Sequence, residues 1–325
     1  MTKMKKLVAV GLAGLIAVTA AACSNGAGKG DSDADNSAAV KTGLGIVSEI
    51  QDVTDTTLTI DSVAAAVTVD ADGKILDVKI DEAQTKPDLA ADAGNVTDLR
   101  TKLEKQDDYA MKPASPIGKE WYEQVAAYEA WAKGKTVDEI NAGADATGAP
   151  TDADLSAGCT INVNGFASAI SKAVANAADL GASAADTLKI AVSTEKYYES
   201  NETNLQYDSN YAAVTVDADG KVTSCLIDAS QAKCTIADGK FTVAAGSFDS
   251  KKELKDSYNM KPASPIGKEW YEQAAAFETW AKGKNADEIK AGAGTDGKSA
   301  DADLSAGCTI IVSSIVANAA KAAAV

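Results

Sequence analysis

Alternation of apolar and polar residues marks two short segments of the chain, 147 residues apart, as β-hairpins. In the first, Val67–Val69 and Ile75–Ile80 lie on either side of the polar segment Asp70–Gly73. In the second, Val214–Val216 and Val222–Ile227 flank another Asp-Ala-Asp-Gly. A period of two around a turn rich in aspartate and glycine predicts a hairpin. A calcium-binding EF-hand loop is the alternative, but the acidic residue that should end such a loop is missing.

A helical period follows each hairpin. Trp121, Val125, Tyr128 and Trp131 are spaced by three or four residues, which places them on one face of a helix. The second copy repeats the spacing with Trp270, Ala274, Phe277 and Trp280. Each helix is expected to have a serine N-cap, a proline in its first turn and a glycine at its end. These residues are Ser115, Pro116 and Gly134 in the first copy and Ser264, Pro265 and Gly283 in the second.

The two copies are parts of a long duplication. Met111–Gln124 recurs as Met260–Gln273 at an offset of 149 residues, and an alanine-rich amphipathic pattern ends each copy. A period near 150 residues is too long for a solenoid and long enough for a core in each copy. The pattern predicts an α+β protein of two tandem homologous domains, residues 42–178 and 179–325, each a small antiparallel sheet with helices.

The N-terminus predicts where the protein resides. Lys3, Lys5 and Lys6 precede the apolar segment Leu7–Thr19, which is too short to span a bilayer and reads as a signal peptide over residues 1–22. Cys23 follows three alanines, which favours lipoprotein processing with Cys23 as the lipidated residue, carrying an acyl chain such as palmitate. Ordinary secretion is the alternative. Residues 23–41 are small and polar and predict a flexible tether, so we expect a cell-membrane protein, lipid-anchored and facing the extracellular side.

Charge and composition exclude several classes of function. The formal net charge is −16, and it becomes −19 once the three lysines of the signal peptide are removed. Such acidity argues against nucleic acid as a partner. The chain has no histidine, which excludes histidine metal sites and Ser-His or Cys-His catalysis. Arg100 is the single arginine, so two arginine clamps for phosphate are excluded as well. We therefore expect no catalytic residues and no metal site.

Two cysteines occur in the second copy alone. Cys225 and Cys234 flank what the sequence suggests is a short turn between two β-like segments. Because the expected compartment is oxidising, a disulfide between them is plausible. Two free buried thiols are the alternative.

The heptapeptide Asp-Leu-Ser-Ala-Gly-Cys-Thr closes both copies, at residues 154–160 and 303–309. It resembles the Asp-x-x-(Ser/Thr/Ala)-Gly-Ala-Thr motif in the FMN-binding domain of covalent flavoproteins, which include subunits of the Na⁺-translocating quinone reductase and of Rnf complexes. The matching residues are Asp154, Ala157, Gly158 and Thr160 in the first copy and Asp303, Ala306, Gly307 and Thr309 in the second. Cys159 and Cys308 stand where the motif has alanine.

This resemblance implies two FMN groups, each joined through its phosphate to Thr160 or Thr309 by a flavin transferase. Two such domains behind a lipoprotein signal are similar to the two-flavin lipoproteins of extracellular electron transfer in Gram-positive bacteria. The implied role is electron relay rather than catalysis. Electrons would pass from a membrane quinone-linked donor, the quinol pool, to extracellular acceptors such as ferric iron or soluble flavin.

Alternatives to this interpretation remain open at the level of the residues. Each heptapeptide threonine could belong to a structural turn and cap the next helix. All four tryptophans lie in the two aromatic helices, where they are either core residues or, with the adjacent tyrosines, the lining of a planar ligand. The candidate lining residues are Trp121, Tyr122, Trp270 and Tyr271. The second function hypothesis is a non-redox surface lipoprotein that binds solutes or peptides between the duplicated domains.

Overall fold

The computed structural model describes residues 40–324, which belong to one compact unit. The predicted signal peptide, Cys23 and all but the last two residues of the predicted tether lie outside these residues. Lys41, the last residue of that predicted tether, begins the first strand. Within residues 40–324, no helix has the length and apolar character needed to cross a membrane.

The strands form two antiparallel sheets, one mainly from each copy. Sheet 1 has the order β3-β2-β1-β4, with β9 also paired to β1, and sheet 2 has the order β5-β6-β7-β8. The strands are β1 Lys41–Gln51, β2 Thr59–Val69, β3 Ile75–Thr85, β4 Ala178–Asp179, β5 Thr187–Lys196, β6 Asn204–Val216, β7 Val222–Ala237, β8 Lys240–Phe241 and β9 Gly246–Phe248. Both predicted hairpins are confirmed as β2–β3 and β6–β7.

Each copy contains two long helices that are separated by short ones. The helices are α1 Leu89–Asp92, α2 Lys102–Lys105, α3 Trp121–Ala132, α4 Val137–Asn141, α5 Ala153–Ser156, α6 Asn164–Ala175, α7 Lys251–Leu254, α8 Trp270–Ala281, α9 Ala286–Lys290, α10 Ala302–Gly307 and α11 Ser313–Ala323. The long ones are α3 and α6 in the first copy and α8 and α11 in the second, and α2–α6 of the first copy correspond in order to α7–α11 of the second. The α+β class and the alanine-rich final helices, α6 and α11, are as predicted.

The two sheets pack face to face, so the central strands are buried on both sides. On β2, Val63, Ala65 and Val67 face the helices of the first copy, whereas Ala64 and Ala66 face sheet 2. Because successive residues of a strand point to opposite faces, this double burial explains the nearly unbroken apolar run. The small alanines let the sheets approach closely.

Polar contacts fix how the two copies meet. Hydroxyl groups pair across the sheet interface, with Thr42 Oγ1 2.9 Å from Ser224 Oγ and Ser48 Oγ 3.2 Å from Ser230 Oγ. The final helix of each copy also places a lysine against a glutamate of the other copy. These ion pairs are Lys172–Glu253 and Lys321–Glu104. The reciprocal pairs indicate that the copies are related by a pseudo-two-fold arrangement.

The prediction that Ser115 caps the aromatic helix is wrong. Helix α3 begins five residues after Pro116, at Trp121, and its N-cap is Glu120. The Glu120 carboxylate accepts hydrogen bonds from the N–H groups of Met111 and Lys112, at 2.8 and 3.0 Å, and so closes the preceding loop. Glu269 does the same in the second copy, so Ser264 is not a cap either. A carboxylate can satisfy more of the unpaired backbone N–H groups there than a hydroxyl can.

The predicted disulfide between Cys225 and Cys234 is wrong. Both residues lie on β7, with no turn between them, and both are free buried thiols. Nine residues of extended strand span about 30 Å, whereas a disulfide needs Cα atoms less than about 7 Å apart. The continuous pairing of β7 with β6 keeps the two thiols apart.

Candidate functional site

The heptapeptide of the first copy begins as one helical turn rather than as a loop. Asp152, two residues before the motif, is the N-cap of α5 and accepts hydrogen bonds from the N–H groups of Asp154 and Leu155 at 2.9 and 3.1 Å. Leu155 is buried and anchors the turn in the core. Asp154 is exposed, so its carboxylate is available to another molecule and does not hold the loop together.

Protein packing explains the glycine and the cysteine of the motif. A Cβ atom on Gly158 would lie 2.7 Å from the Cβ of Ala127 on α3, and one on Gly307 would lie 2.8 Å from the Cβ of Ala276 on α8. Only glycine allows these close approaches. The following Cys159 is fully buried, and burial raises its pKa to about 11. At neutral pH this thiol is therefore protonated and shielded from crosslinking.

The buried side chain of Gln124 holds Thr160 in place by hydrogen bonds. The carboxamide oxygen of Gln124 accepts the Thr160 N–H at 2.8 Å and the Thr160 hydroxyl at 3.2 Å. The carboxamide nitrogen donates to the Lys119 carbonyl at 3.2 Å and to the Ser115 hydroxyl at 3.0 Å. One amide group thus joins the heptapeptide to the Lys-Pro-Ala-Ser-Pro segment. Thr160 itself is only partly buried.

The second copy reproduces this geometry. Gln273 accepts the Thr309 N–H at 2.7 Å and its hydroxyl at 3.2 Å. Its nitrogen donates to the Lys268 carbonyl and the Ser264 hydroxyl, both at 3.1 Å. Asp303 and Gly307 also occupy the positions of their first-copy counterparts, one exposed and one against α8. Neither threonine caps the next helix, because α6 and α11 begin after Val163 and Val312 without a side-chain cap.

The sequence did not single out Gln124 and Gln273. Both end the 14-residue segment that is identical in the two copies, and that identity was the available signal. A periodicity argument overlooks a glutamine on an apolar helix face. The threonine that each glutamine contacts is 36 residues further along the chain.

The four aromatic candidates divide into two kinds. Trp121 and Trp270 are buried core residues, and Trp121 packs edge-on against Phe166 with ring centroids 6.0 Å apart. Tyr122 and Tyr271 are partly exposed and point elsewhere, with hydroxyl groups 3.2 Å from Asp107 and 3.3 Å from Asp256, respectively. Trp121 is both buried and part of the wall of a cavity next to a heptapeptide.

That cavity lies in the first copy and has a volume of about 550 Å³. Ile161 and Asn162, the two residues after Thr160, line one part of it, and Trp121, Tyr109, Lys102 and Glu82 line another. Clefts of about 300–1,000 Å³ commonly hold small molecules. The cavity therefore has room for a planar ring system linked to Thr160, with aromatic, amide and charged groups on its walls.

Charged groups at this cavity are unusually buried. The Lys102 ammonium contacts the Glu82 carboxylate, and both side chains are less than 10% exposed, at 9% and 8%. Burial raises the pKa of Glu82, Lys102 opposes the rise, and nearby Asp61 adds to it. One oxygen of Asp61, Oδ1, is buried without a hydrogen-bond partner. A protonated Glu82 can donate to Asp61, since a hydrogen bond between the two side chains is one cause of the raised pKa of Glu82.

The comparisons with known proteins are sparse. No family model matches the chain, and no solved structure matches it. The chain is 38% identical over 98 residues to chlorophenol reductase of Desulfitobacterium hafniense. This alignment covers 26% of the chain and 29% of that protein. The chain thus matches less than a third of its relative's length. No cluster of three or more potential metal ligands occurs among residues 40–324.

Proposed function

We propose that the chain is a surface-anchored redox carrier with two covalent FMN groups, one on Thr160 and one on Thr309. The observation that carries the proposal is the repeated threonine geometry. In both copies a partly exposed threonine, in the same motif, is fixed by a buried glutamine through its N–H and its hydroxyl. Because each threonine is partly exposed and neither caps the next helix, its hydroxyl is accessible for modification.

The first-copy cavity is compatible with the proposed group. The ring of a flavin linked to Thr160 would be held by Trp121, Tyr109 and Lys102. These side chains line the cavity, which has a volume of about 550 Å³. When bound, the flavin would supply the electron-transfer chemistry. The residues of the chain would orient the ring and exclude water from part of it. Gln124 would hold the Thr160 backbone in place, while the threonine oxygen becomes the point of attachment.

Attachment requires a partner enzyme. Formation of the threonine O–P bond breaks the hydroxyl O–H bond and displaces a leaving group from the flavin phosphate, so a flavin transferase must supply an activated flavin nucleotide. Asp154 and Asp303 are exposed beside the two threonines, and they are suited to recognition by that enzyme. A lipid on Cys23 would hold the carrier at the extracellular side of the membrane. There it would take electrons from the quinol pool and deliver them to acceptors such as ferric iron or soluble flavin.

The partial relative gives limited support. The Desulfitobacterium hafniense protein is named as a reductase, which is an electron-transfer activity. Its chlorophenol substrate is not carried over, because the alignment covers 29% of that protein.

Mass spectrometry of protein purified from its native envelope tests the proposal. We expect one phosphoriboflavin on the peptide that contains Thr160 and one on the peptide that contains Thr309. The protein should also remain yellow after denaturation. Thr160→Val and Thr309→Val should each remove one group and leave the other as a matched control. Unmodified threonines in cells with an active flavin transferase would refute the redox proposal.

A cavity between the two copies favours the alternative function, a non-redox solute-binding lipoprotein. It has a volume of about 610 Å³, and its walls include Leu44 and Ile46 from the first copy and Leu226 and Tyr271 from the second. Under this alternative, a Thr160→Val/Thr309→Val double variant should bind its solute with unchanged affinity, since the threonines do not line this cavity.

A further inference from the structure

The duplication allows a residue-by-residue comparison of the two proposed flavin sites. Glu129 accepts the Ile80 N–H at 2.8 Å, and Glu278 accepts the Ile227 N–H, also at 2.8 Å. The same helix-to-strand contact thus occurs in both copies. Strand β3 therefore lies against α3 in the same register as β7 lies against α8. Glu82 of the first copy therefore has Ala229 as its equivalent, two residues after the contact in each case.

The cation beside each site is conserved between the copies. Each copy places a lysine ammonium over the rings of one tyrosine and one tryptophan, 5.1–5.8 Å from their centroids. These groups are Lys102 with Tyr109 and Trp121 in the first copy, and Lys251 with Tyr258 and Trp270 in the second. A cation over two aromatic faces is held in place by the rings as well as by any carboxylate.

The anion differs between the copies. Glu82 contacts Lys102 and forms a buried ion pair. Ala229 offers no carboxylate, and within residues 40–324 no carboxylate oxygen lies within 4.0 Å of the Lys251 ammonium. Burial lowers the pKa of Lys251. Three carboxylates at a greater distance oppose this shift, and they are Asp208, Asp228 and Glu195.

Such a difference matters because both lysines are largely shielded from water. Charges interact more strongly, and are screened less by salt, in a buried site than on the surface. Burial raises the pKa of Glu82 to about 8, so above that pH an ionised Glu82 cancels the charge of Lys102, whereas no adjacent carboxylate cancels the charge of Lys251. Glu82 is thus the one change at these positions that alters the charge of the site.

We propose that the two copies are electrostatically distinct redox sites, in which Glu82 makes the group on Thr160 the weaker electron acceptor and the uncompensated Lys251 makes the group on Thr309 the stronger one. This inference rests on the proposed function. Electrons would then collect on the second copy before they leave the protein.

The direction follows from the charge balance of the reaction. Reduction adds two electrons and one proton to a flavin, so the group gains one negative charge. The quinol donor loses two electrons and two protons, and the proton that the flavin does not take is released to solvent. A site with an uncompensated ammonium stabilises the added negative charge, whereas a buried carboxylate opposes it.

Reciprocal variants, each with one copy loaded, provide the test. Thr309→Val leaves flavin only in the first copy, and Thr160→Val leaves it only in the second. Above pH 8, where Glu82 is ionised, we expect the second-copy potential to be the more positive. The difference should be at least tenfold in the reduction equilibrium constant, which is about 30 mV for two electrons. Glu82→Gln should raise the first-copy potential towards the second, and Ala229→Glu should lower the second-copy potential.

Equal potentials in the two copies, or a first-copy potential that Glu82→Gln leaves unchanged, would overturn the inference. Glu82→Gln keeps the size and the polar contact of the side chain, and Glu82→Ala provides a second variant without the amide.

A readout without flavin separates this inference from the proposed function. In the double threonine-to-valine protein, the pH dependence of amine acetylation gives an apparent pKa for each lysine. We expect Lys251 to have the lower value, and Glu82→Gln to lower the value for Lys102. If the lysines behave in this way but the protein with both threonines carries no flavin, the proposed function and the redox inference are refuted and only the charge difference remains. Flavin on both threonines with equal potentials would refute the inference alone.

Discussion

Replacing Gln124 by leucine would remove the side chain that forms hydrogen bonds to Thr160. Four hydrogen bonds would be lost, to the Thr160 N–H and hydroxyl, the Lys119 carbonyl and the Ser115 hydroxyl. At about 1 kcal/mol for each bond, the largest expected loss in the free energy of unfolding is about 4 kcal/mol. Thr160 is partly exposed, so water can replace some of these contacts, and we expect a loss of about 2–3 kcal/mol.

Two measurements check this expectation. Urea denaturation gives the change in the free energy of unfolding, and amide hydrogen exchange reports on the Thr160 N–H itself. Because 1.4 kcal/mol corresponds to a factor of ten, a local loss of about 2–3 kcal/mol should speed exchange of that N–H by more than about tenfold. The Thr309 N–H, bonded to Gln273 at 2.7 Å, is an internal control that should not change.

Gln273→Leu is the matched variant and should give the mirror result, with fast exchange at Thr309 and normal exchange at Thr160. The reasoning would be refuted by a loss of less than about 0.5 kcal/mol together with unchanged exchange at Thr160. That outcome would mean that the loop is held by the buried Leu155 and Cys159 alone.

Two further predictions concern stability. The Tyr128 hydroxyl is buried without a hydrogen-bond partner, and the second copy has Phe277 at this position. Tyr128→Phe should therefore stabilise the protein by about 1–3 kcal/mol. Phe277→Tyr should destabilise it, and thermal denaturation measures both changes. Burial raises the pKa of Asp81 to about 7 and that of Asp228 to about 6. The unfolded chain loses these protons near pH 4, so their contribution to stability is complete below about pH 4 and is lost as pH rises through 6 to 7. Asp81→Asn should flatten the decline in melting temperature between pH 4 and 7, and an unchanged slope would contradict the assignment.

Local patterns predicted the elements better than their ends. The hairpins β2–β3 and β6–β7 follow from a period of two and a glycine-containing turn, both of which are properties of neighbouring residues. The start of α3 did not follow in this way. Ser115 and Pro116 form a good local start signal, but Glu120 captures two backbone N–H groups from the loop before it, and that competition depends on how the loop folds back.

The cysteines illustrate the same limit. The sequence predicts a turn between Cys225 and Cys234. Pairing with β6 instead extends β7 through both positions. Backbone hydrogen bonding to a neighbouring strand decided the conformation, and no signal within the ten residues carries that information.

The duplication, the α+β class and the two threonine motifs could be predicted from the amino-acid sequence, because repeats, periodicity and short motifs are properties of neighbouring or repeated residues. Only the tertiary structure brought Gln124 to Thr160, set Glu82 against Lys102 in a cavity and packed the two sheets face to face. These contacts join residues that are 20 or more positions apart. Their partners are chosen by burial and by the need to pair buried polar groups, which no local pattern specifies.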